Sequence, residues 1–201
     1  MDSAGFSTPA DIDSRAATTS VKIVLAGGFG VGKTTFVGSV SEIVPLTTEA
    51  VLTAAGSQVD DLRGIAGKTT TTVAMDFGRV SLDEDLILYL FGTPGQQRFW
   101  FMWDDLIRGA IGAVVLIDTR RLADGFAAID YFEDRGLPFI VGYNLFEGVQ
   151  SHTIEQVREA LGVPSAVPIV TCDARSRQST KAALISLVEH VLRARTKNPV
   201  F

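Results

Sequence analysis

Six short, mostly apolar runs punctuate the chain: Lys22–Ala26, Thr72–Ser81, Asp85–Phe91, Ile111–Asp118, Phe139–Tyr143 and Val167–Thr171. Each has the length of a strand. Between them lie segments whose apolar residues recur every three or four positions, the spacing of one helix face. These run from Lys33 to just before Pro45, and over Trp103–Arg108, Leu122–Asp134, Thr153–Leu161 and Ser179–Ala194. Strands alternating with helices predict a largely parallel sheet covered on both faces. The runs at 72–81 and 85–91 are joined by the tight turn Leu82-Asp83-Glu84, so the first is read as an antiparallel edge strand. Gly136 is placed to end the helix at 122–134, and Ser151 or Thr153 to cap the next one. The stretch Leu46–Thr72 is rich in Thr, Gly and Ala and reads mainly as loop, with a short helix over Ser57–Arg63.

Composition narrows the class. Charged residues are only 20% of the 201 and the mean hydropathy is +0.25. Strands buried on both faces give that bias. A net charge of -5 argues against a nucleic-acid binder, which carries a basic face. Residues 1–19 are Ser/Thr/Ala/Asp-rich and read as a disordered lead-in. Residues 20–196 are then one domain, and 197–201 a tail. Position 2 is Asp rather than Gly, the C-terminus carries no prenylation cysteine, and no run is long enough to span a membrane. The expectation is a protein without its own membrane anchor, brought to a membrane only by partners. The single cysteine, Cys172, fits a reducing cytoplasm.

The chemistry starts at Gly27-Gly28-Phe29-Gly30-Val31-Gly32-Lys33-Thr34, a full match to the phosphate-loop pattern, set between a strand and a helix. Glycines let successive N–H groups turn inward as an anion nest, and the helix that follows adds its positive end. Lys33 can neutralise the β- and γ-phosphates, and Thr34 can ligate Mg²⁺. Gly28, Phe29, Gly30, Val31, Gly32, Lys33, Thr34 and Thr35 are the candidate phosphate contacts. The fold expected is a three-layer P-loop NTPase fold.

Four more loops sit where open α/β sheets bind ligands, at the edge formed by the carboxyl ends of strands. Thr72, ahead of its strand, could place a hydroxyl on Mg²⁺. Gly92-Thr93-Pro94-Gly95-Gln96 follows the third strand; Gly95 could approach a γ-phosphate and Gln96 could orient a water. Asn144 and Glu147 follow the fifth strand, and a carboxylate there can accept the two N–H groups that guanine, but not adenine, presents. Cys172-Asp173-Ala174 follows the sixth, where a backbone N–H could meet guanine O6.

The order and spacing of these motifs resemble the small GTPases of the Ras-like superfamily over about residues 20–195. Phe91-Gly92-Thr93-Pro94-Gly95-Gln96, the run Lys68–Gly78 and Cys172-Asp173-Ala174-Arg175 are most similar to the conservon-encoded ATP/GTP-binding proteins of actinobacteria, relatives of the gliding-motility polarity GTPase. The resemblance implies a GTP/GDP switch with slow, Mg²⁺-dependent hydrolysis. It would work beside a roadblock-type (longin-like) protein and a sensor-kinase-like membrane protein. It makes Thr34 and Thr72 the metal-binding hydroxyls, Gln96 and Lys33 the catalytic pair, and Asn144, Glu147, Cys172, Asp173 and Ala174 the base site.

The chain also departs from that pattern. Gly92 stands where the superfamily has the aspartate of Asp-x-x-Gly; Asp118 reads better as a cap or turn residue than as its substitute, and Asp76 is a second candidate. Leu145 replaces the lysine of the guanine motif, and Glu147 its aspartate. These changes keep two rivals in play, a nucleotide-binding scaffold without turnover and an ATP-using P-loop enzyme. Trp100-Phe101-Met102-Trp103 can serve either the core, with Phe99 and Leu106, or a partner surface. Arg98 and Arg108 are candidate transition-state cations, whereas His152 and His190 read as surface residues.

Overall fold

Alternation in the central strand sets the layers. In β1 (Thr19–Ala26), Ile23 and Leu25 enter one apolar cluster and Val24 and Ala26 another, and all four are buried. A strand whose successive side chains point to opposite faces can be apolar throughout only if both faces are covered. The computed structural model describes residues 18–52 and 71–197, and they form that three-layer arrangement.

The sheet has the order β2-β3-β4-β1-β5-β6-β7, with β2 Leu46–Leu52, β3 Thr71–Asp83, β4 Leu86–Gly92, β5 Ala110–Ile117, β6 Phe139–Asn144 and β7 Ile169–Cys172. All six anticipated strands are present, and β3 alone runs against the others. A seventh strand, β2, pairs antiparallel with the outer side of β3, from Leu46↔Phe77 to Leu52↔Thr71. The start of the segment read as loop is therefore the edge of the sheet, and β3 lies one strand in. The β-branched residues Thr47, Thr48 and Val51 favour that extended backbone. The expected helix at 57–63 and most of the lead-in at 1–19 fall outside the described residues, as does the tail beyond Lys197.

One face carries α1 (Lys33–Val40) and α5 (Arg177–Lys197), which pack Phe36, Val37, Leu184 and Leu187 onto Leu25, Leu88, Leu90 and Leu116. The other carries α2 (Trp103–Ile107), α3 (Ala123–Asp134) and α4 (Ile154–Leu161), with Trp103, Ile129, Phe132 and Val157 over Val24, Val115 and Ile117. Thr153 caps α4 in a full capping box with Gln156, and Gly162 ends it in a left-handed turn. The loops after β1, β4, β5, β6 and β7 all leave from one edge, and the chain reverses its winding on either side of β1. That is where an open α/β sheet has its crevice.

The aromatic run after β4 is only partly taken into the core. Trp103 is 1% exposed, lying at 6.0 Å from the Phe132 ring and at 5.0 Å, edge-on, from Tyr131. Phe99 is also buried, while Phe101 stands 62% exposed. Tyr131 Oη and Arg135 donate to Asp104, which fastens α2 to α3. Trp103→Ala empties a fully buried indole site and should cost about 3–5 kcal/mol of stability. A urea midpoint shift read by circular dichroism checks it.

Candidate functional site

The loop between β1 and α1 closes around a buried cation. Gly32 caps α1 with φ +107°, and a Cβ there would stand 2.7 Å from Asn144 Nδ2, so only glycine fits. Lys33 is 8% exposed, and its Nζ donates to the carbonyls of Gly27 at 2.9 Å and Gly28 at 2.7 Å. Burial pulls its pKa from 10.5 to about 8, against the opposing pull of the Asp76 carboxylate.

A cavity of about 380 Å³ opens over this lysine. Of the residues expected at the phosphates, Phe29, Gly30, Gly32, Lys33, Thr34, Thr35, Gly95 and Gln96 line it. Gly28 and the buried Val31 stand behind the lining. Gly95 is brought against the loop from β4: a Cβ on it would be 2.8 Å from Lys33 Nζ and 2.9 Å from Phe29 Cα. Trp103 holds that segment from below, its indole N–H donating to Pro94 O at 3.3 Å. Phe29 is 65% exposed at the rim.

The carboxylate missing at Gly92 arrives from the neighbouring strand. Asp76 of β3 is paired in register with Gly92 of β4. A Cβ on Gly92 would be 3.1 Å from Asp76 Oδ2, so the absent side chain makes room for the carboxylate. Asp76 is buried and accepts from Thr34 Oγ1 at 2.7 Å. Its Oδ1, and Thr93 Oγ1 in the same cavity, are buried without a hydrogen-bond partner. An unsatisfied buried oxygen costs about 1–3 kcal/mol, so both await a donor. The waters of a hydrated hard cation are such donors, and a hydroxyl–carboxylate pair suits Mg²⁺, which keeps several waters. Among the described residues no group of three His, Cys, Asp or Glu forms a self-sufficient metal cage. An ion here would therefore share its ligands with bound phosphate.

At the far end of the cleft Asn144 ties two loops together. Its Nδ2 donates to Val31 O at 2.9 Å and its Oδ1 accepts from Ala174 N at 3.1 Å. Of the loop amides from which one was expected to meet a base, that of Ala174 is thus held by Asn144. Cys172 is fully buried, burial pushes its thiol up to about 11, and its carbonyl accepts from Leu145 N at 2.7 Å. It supports the loop after β6 from inside rather than offering a side chain to a ligand. The Asp173 carboxylate is taken by the backbone and guanidinium of Arg175. Glu147 follows in the short turn Phe146–Gly148, and Thr72 lies in β3 opposite Val51; the side chains of both, and of Arg98, fall outside the described residues.

Two further expectations meet their outcome here. Asp118 caps the turn Thr119–Arg121, accepting from Arg120 N at 2.9 Å and pairing with its guanidinium. Arg108 precedes β5 and lies beside Lys22, at the opposite end of the sheet from the phosphate loop, so it cannot serve as a transition-state cation. Thr93 and Tyr143 went unnoticed in the sequence. Tyr143 Oη accepts from Ser151 N and His152 N, which fixes the end of the 145–152 loop to β6. Asp76 had a readable signal: with Gly78 and Val80 it falls on the buried side of its strand, where a carboxylate needs a reason.

The Lys33 pKa gives a pH test. Bound phosphate restores the ammonium, so above about pH 8 the free protein must take up a proton to bind. Affinity for a nucleoside triphosphate should therefore fall on the alkaline side, by up to about tenfold per unit. Lys33→Met should bind weakly with no such slope. Calorimetry in buffers of different ionisation enthalpy measures both the slope and the proton.

Known proteins share this fold. Over 126 residues the chain is 28% identical to an uncharacterized protein of Methanocaldococcus jannaschii, covering 62% of this chain and 69% of that one. The cytosolic domain of the T. maritima FeoB iron transporter in its GDP form superposes with a TM-score of 0.62 at 15% identity, over 87% of this chain and 64% of that one. The chain thus spans just under two thirds of that domain's length. The FeoB G-domain from Methanococcus jannaschii matches with a TM-score of 0.58 at 15% identity, over 87% of this chain and 99% of that one. These structures share the P-loop G-domain fold. The profile of the family described as conserved hypothetical ATP binding protein matches residues 25–194, and the chain belongs to that family.

Proposed function

We propose that the chain is a GTP-binding switch that hydrolyses its nucleotide slowly with Mg²⁺. The observation that carries this reading is the convergence of Lys33, Thr34, Asp76, Gly95 and Gln96 on one cavity from β1, β3 and β4. The loop amides and Lys33 hold the phosphates. Thr34 and Asp76 would hold the cation, with Thr72 as a further hydroxyl, and the ion would screen the charge that builds on the phosphates. Gln96 orients the attacking water, and Lys33 stabilises the γ-phosphoryl group. Gly95 senses the third phosphate, and Trp103 carries its position to α3. Asn144, Glu147 and the 172–174 loop receive the base. GDP is the product that stays bound. The roadblock-type and sensor-kinase-like partners implied by the resemblance belong to this reading as proposals, as does work in the cytoplasm. No helix among the described residues is long and apolar enough to cross a membrane.

Two features favour ATP as the second reading: the family description, and Leu145 with Glu147 in place of the usual guanine-reading residues. Competition of GTP, ATP and XTP for the purified protein decides between them. Tighter binding of ATP overturns the guanine assignment. Single-turnover assays separate switch from scaffold: Gln96→Leu should slow hydrolysis by about tenfold or more, and equal inertness of wild type and variant would establish a scaffold.

Asp76→Gly should remove most of the slowing of nucleotide release that Mg²⁺ confers. Adding Gly92→Asp returns the carboxylate from the adjacent strand and should restore part of it. Release of a fluorescent nucleotide with and without EDTA is the measurement. Release from Asp76→Gly that still slows with Mg²⁺ as in wild type would remove Asp76 from the metal site.

A further inference from the structure

The outer side of the phosphate loop is held by an arginine that no motif assigns. Arg121 closes the short turn after β5, and its Nη2 donates to the Phe29 carbonyl at 2.7 Å. The turn is firmly built. Buried Asp118 accepts from Arg120 N at 2.9 Å and pairs with the Arg120 guanidinium at 2.8 Å. Asp124 stands 3.7 Å from the Arg121 guanidinium, and its Cβ would be only 2.6 Å from a Cβ on Gly28. The Arg121–Asp124 pair thus packs directly on the loop.

Three successive carbonyls are therefore gripped by cations, those of Gly27 and Gly28 by Lys33 and that of Phe29 by Arg121. A trans peptide points its C=O and N–H in opposite directions. With the Phe29 oxygen held on the outside, the Gly30 N–H is turned to the other side, and Gly30 lines the cavity. A guanidinium on the carbonyl also polarises that peptide and makes its N–H a stronger donor.

We propose that Arg121 is a positioning residue for triphosphate hydrolysis, acting through the Phe29–Gly30 peptide on the leaving diphosphate. This rests on the hydrolytic reading of the cavity. In the reaction, water oxygen bonds to the γ-phosphorus and the bond from that phosphorus to the bridging oxygen breaks. The electron pair stays on the diphosphate, and both water protons leave with inorganic phosphate. Negative charge grows on the diphosphate during this step, and a fixed, polarised N–H is worth more there than in the ground state.

The test compares wild type, Arg121→Ala and Arg121→Lys by GDP affinity and single-turnover GTP hydrolysis. Arg121→Ala should weaken GDP binding by about threefold while slowing hydrolysis by about 30-fold or more. Arg121→Lys, with one point donor, should fall between. Added methylguanidinium should recover part of the Arg121→Ala rate, which a purely structural defect would not allow. Hydrolysis by the alanine variant at the wild-type rate overturns the proposal. So does a loss of rate no larger than the loss of affinity and insensitive to methylguanidinium. If Arg121→Ala does not fold, a lysine variant as fast as wild type overturns it. A wild type that hydrolyses nothing overturns the hydrolytic reading, and this proposal with it; a wild type that turns over beside equally active variants overturns this proposal alone.

Discussion

A buried ammonium with two backbone carbonyls as its hydrogen-bond partners is the constraint from which the rest follows. Burying Lys33 is costly, as its lowered pKa records, and carbonyl dipoles compensate that cost less well than an anion would. The surrounding loop cannot collapse onto the charge, because Asn144 and Arg121 hold its backbone from outside. It cannot move away either, since α1 begins at Lys33 itself and is locked in the core by Phe36 and Val37. The protein thus holds a buried cation at a fixed place in the cleft, with the neighbouring loops arranged around it.

What could be read from the chain alone depended on whether the relevant residues were contiguous. The phosphate loop is one unbroken segment between a strand and a helix, so residue type and spacing were enough. The six core strands were legible because apolar runs are local, and the start of α4 to within two residues because Ser151 and Thr153 both have the cap chemistry; the capping box with Gln156 picks Thr153. The second carboxylate was harder. Asp76 and Gly92 are 16 positions apart, and only the antiparallel register of β3 on β4 sets one beside the other. Arg121 and Phe29 are separated by 92 positions, and their contact depends on β5 lying next to β1. β2 escaped detection because an edge strand need not be apolar on either side, which leaves no alternation to see.

Strand β3 links these features mechanically. It carries Asp76 at its centre and Thr72 near its start, pairs with β4 on one side, and with β2 on the other. A displacement of β3 along its neighbours would carry the Asp76 carboxylate with it. Glu42, just beyond α1, accepts from Ser81 and pairs with Arg79 of the same strand and Arg177 of α5. The far half of β3 is therefore anchored to both helices of its layer, and Asp76 ties the strand to the start of α1 through Thr34.

The placement of the aromatic run has a practical consequence. The chain has two tryptophans, and both follow Gln96 within a single turn-and-helix segment, 5.4 Å apart ring to ring. Their emission originates beside the loop that would meet the third phosphate, without background from elsewhere in the molecule. The protein therefore carries its own optical probe, and stopped-flow spectroscopy on unlabelled material can follow the order of binding, cleavage and release.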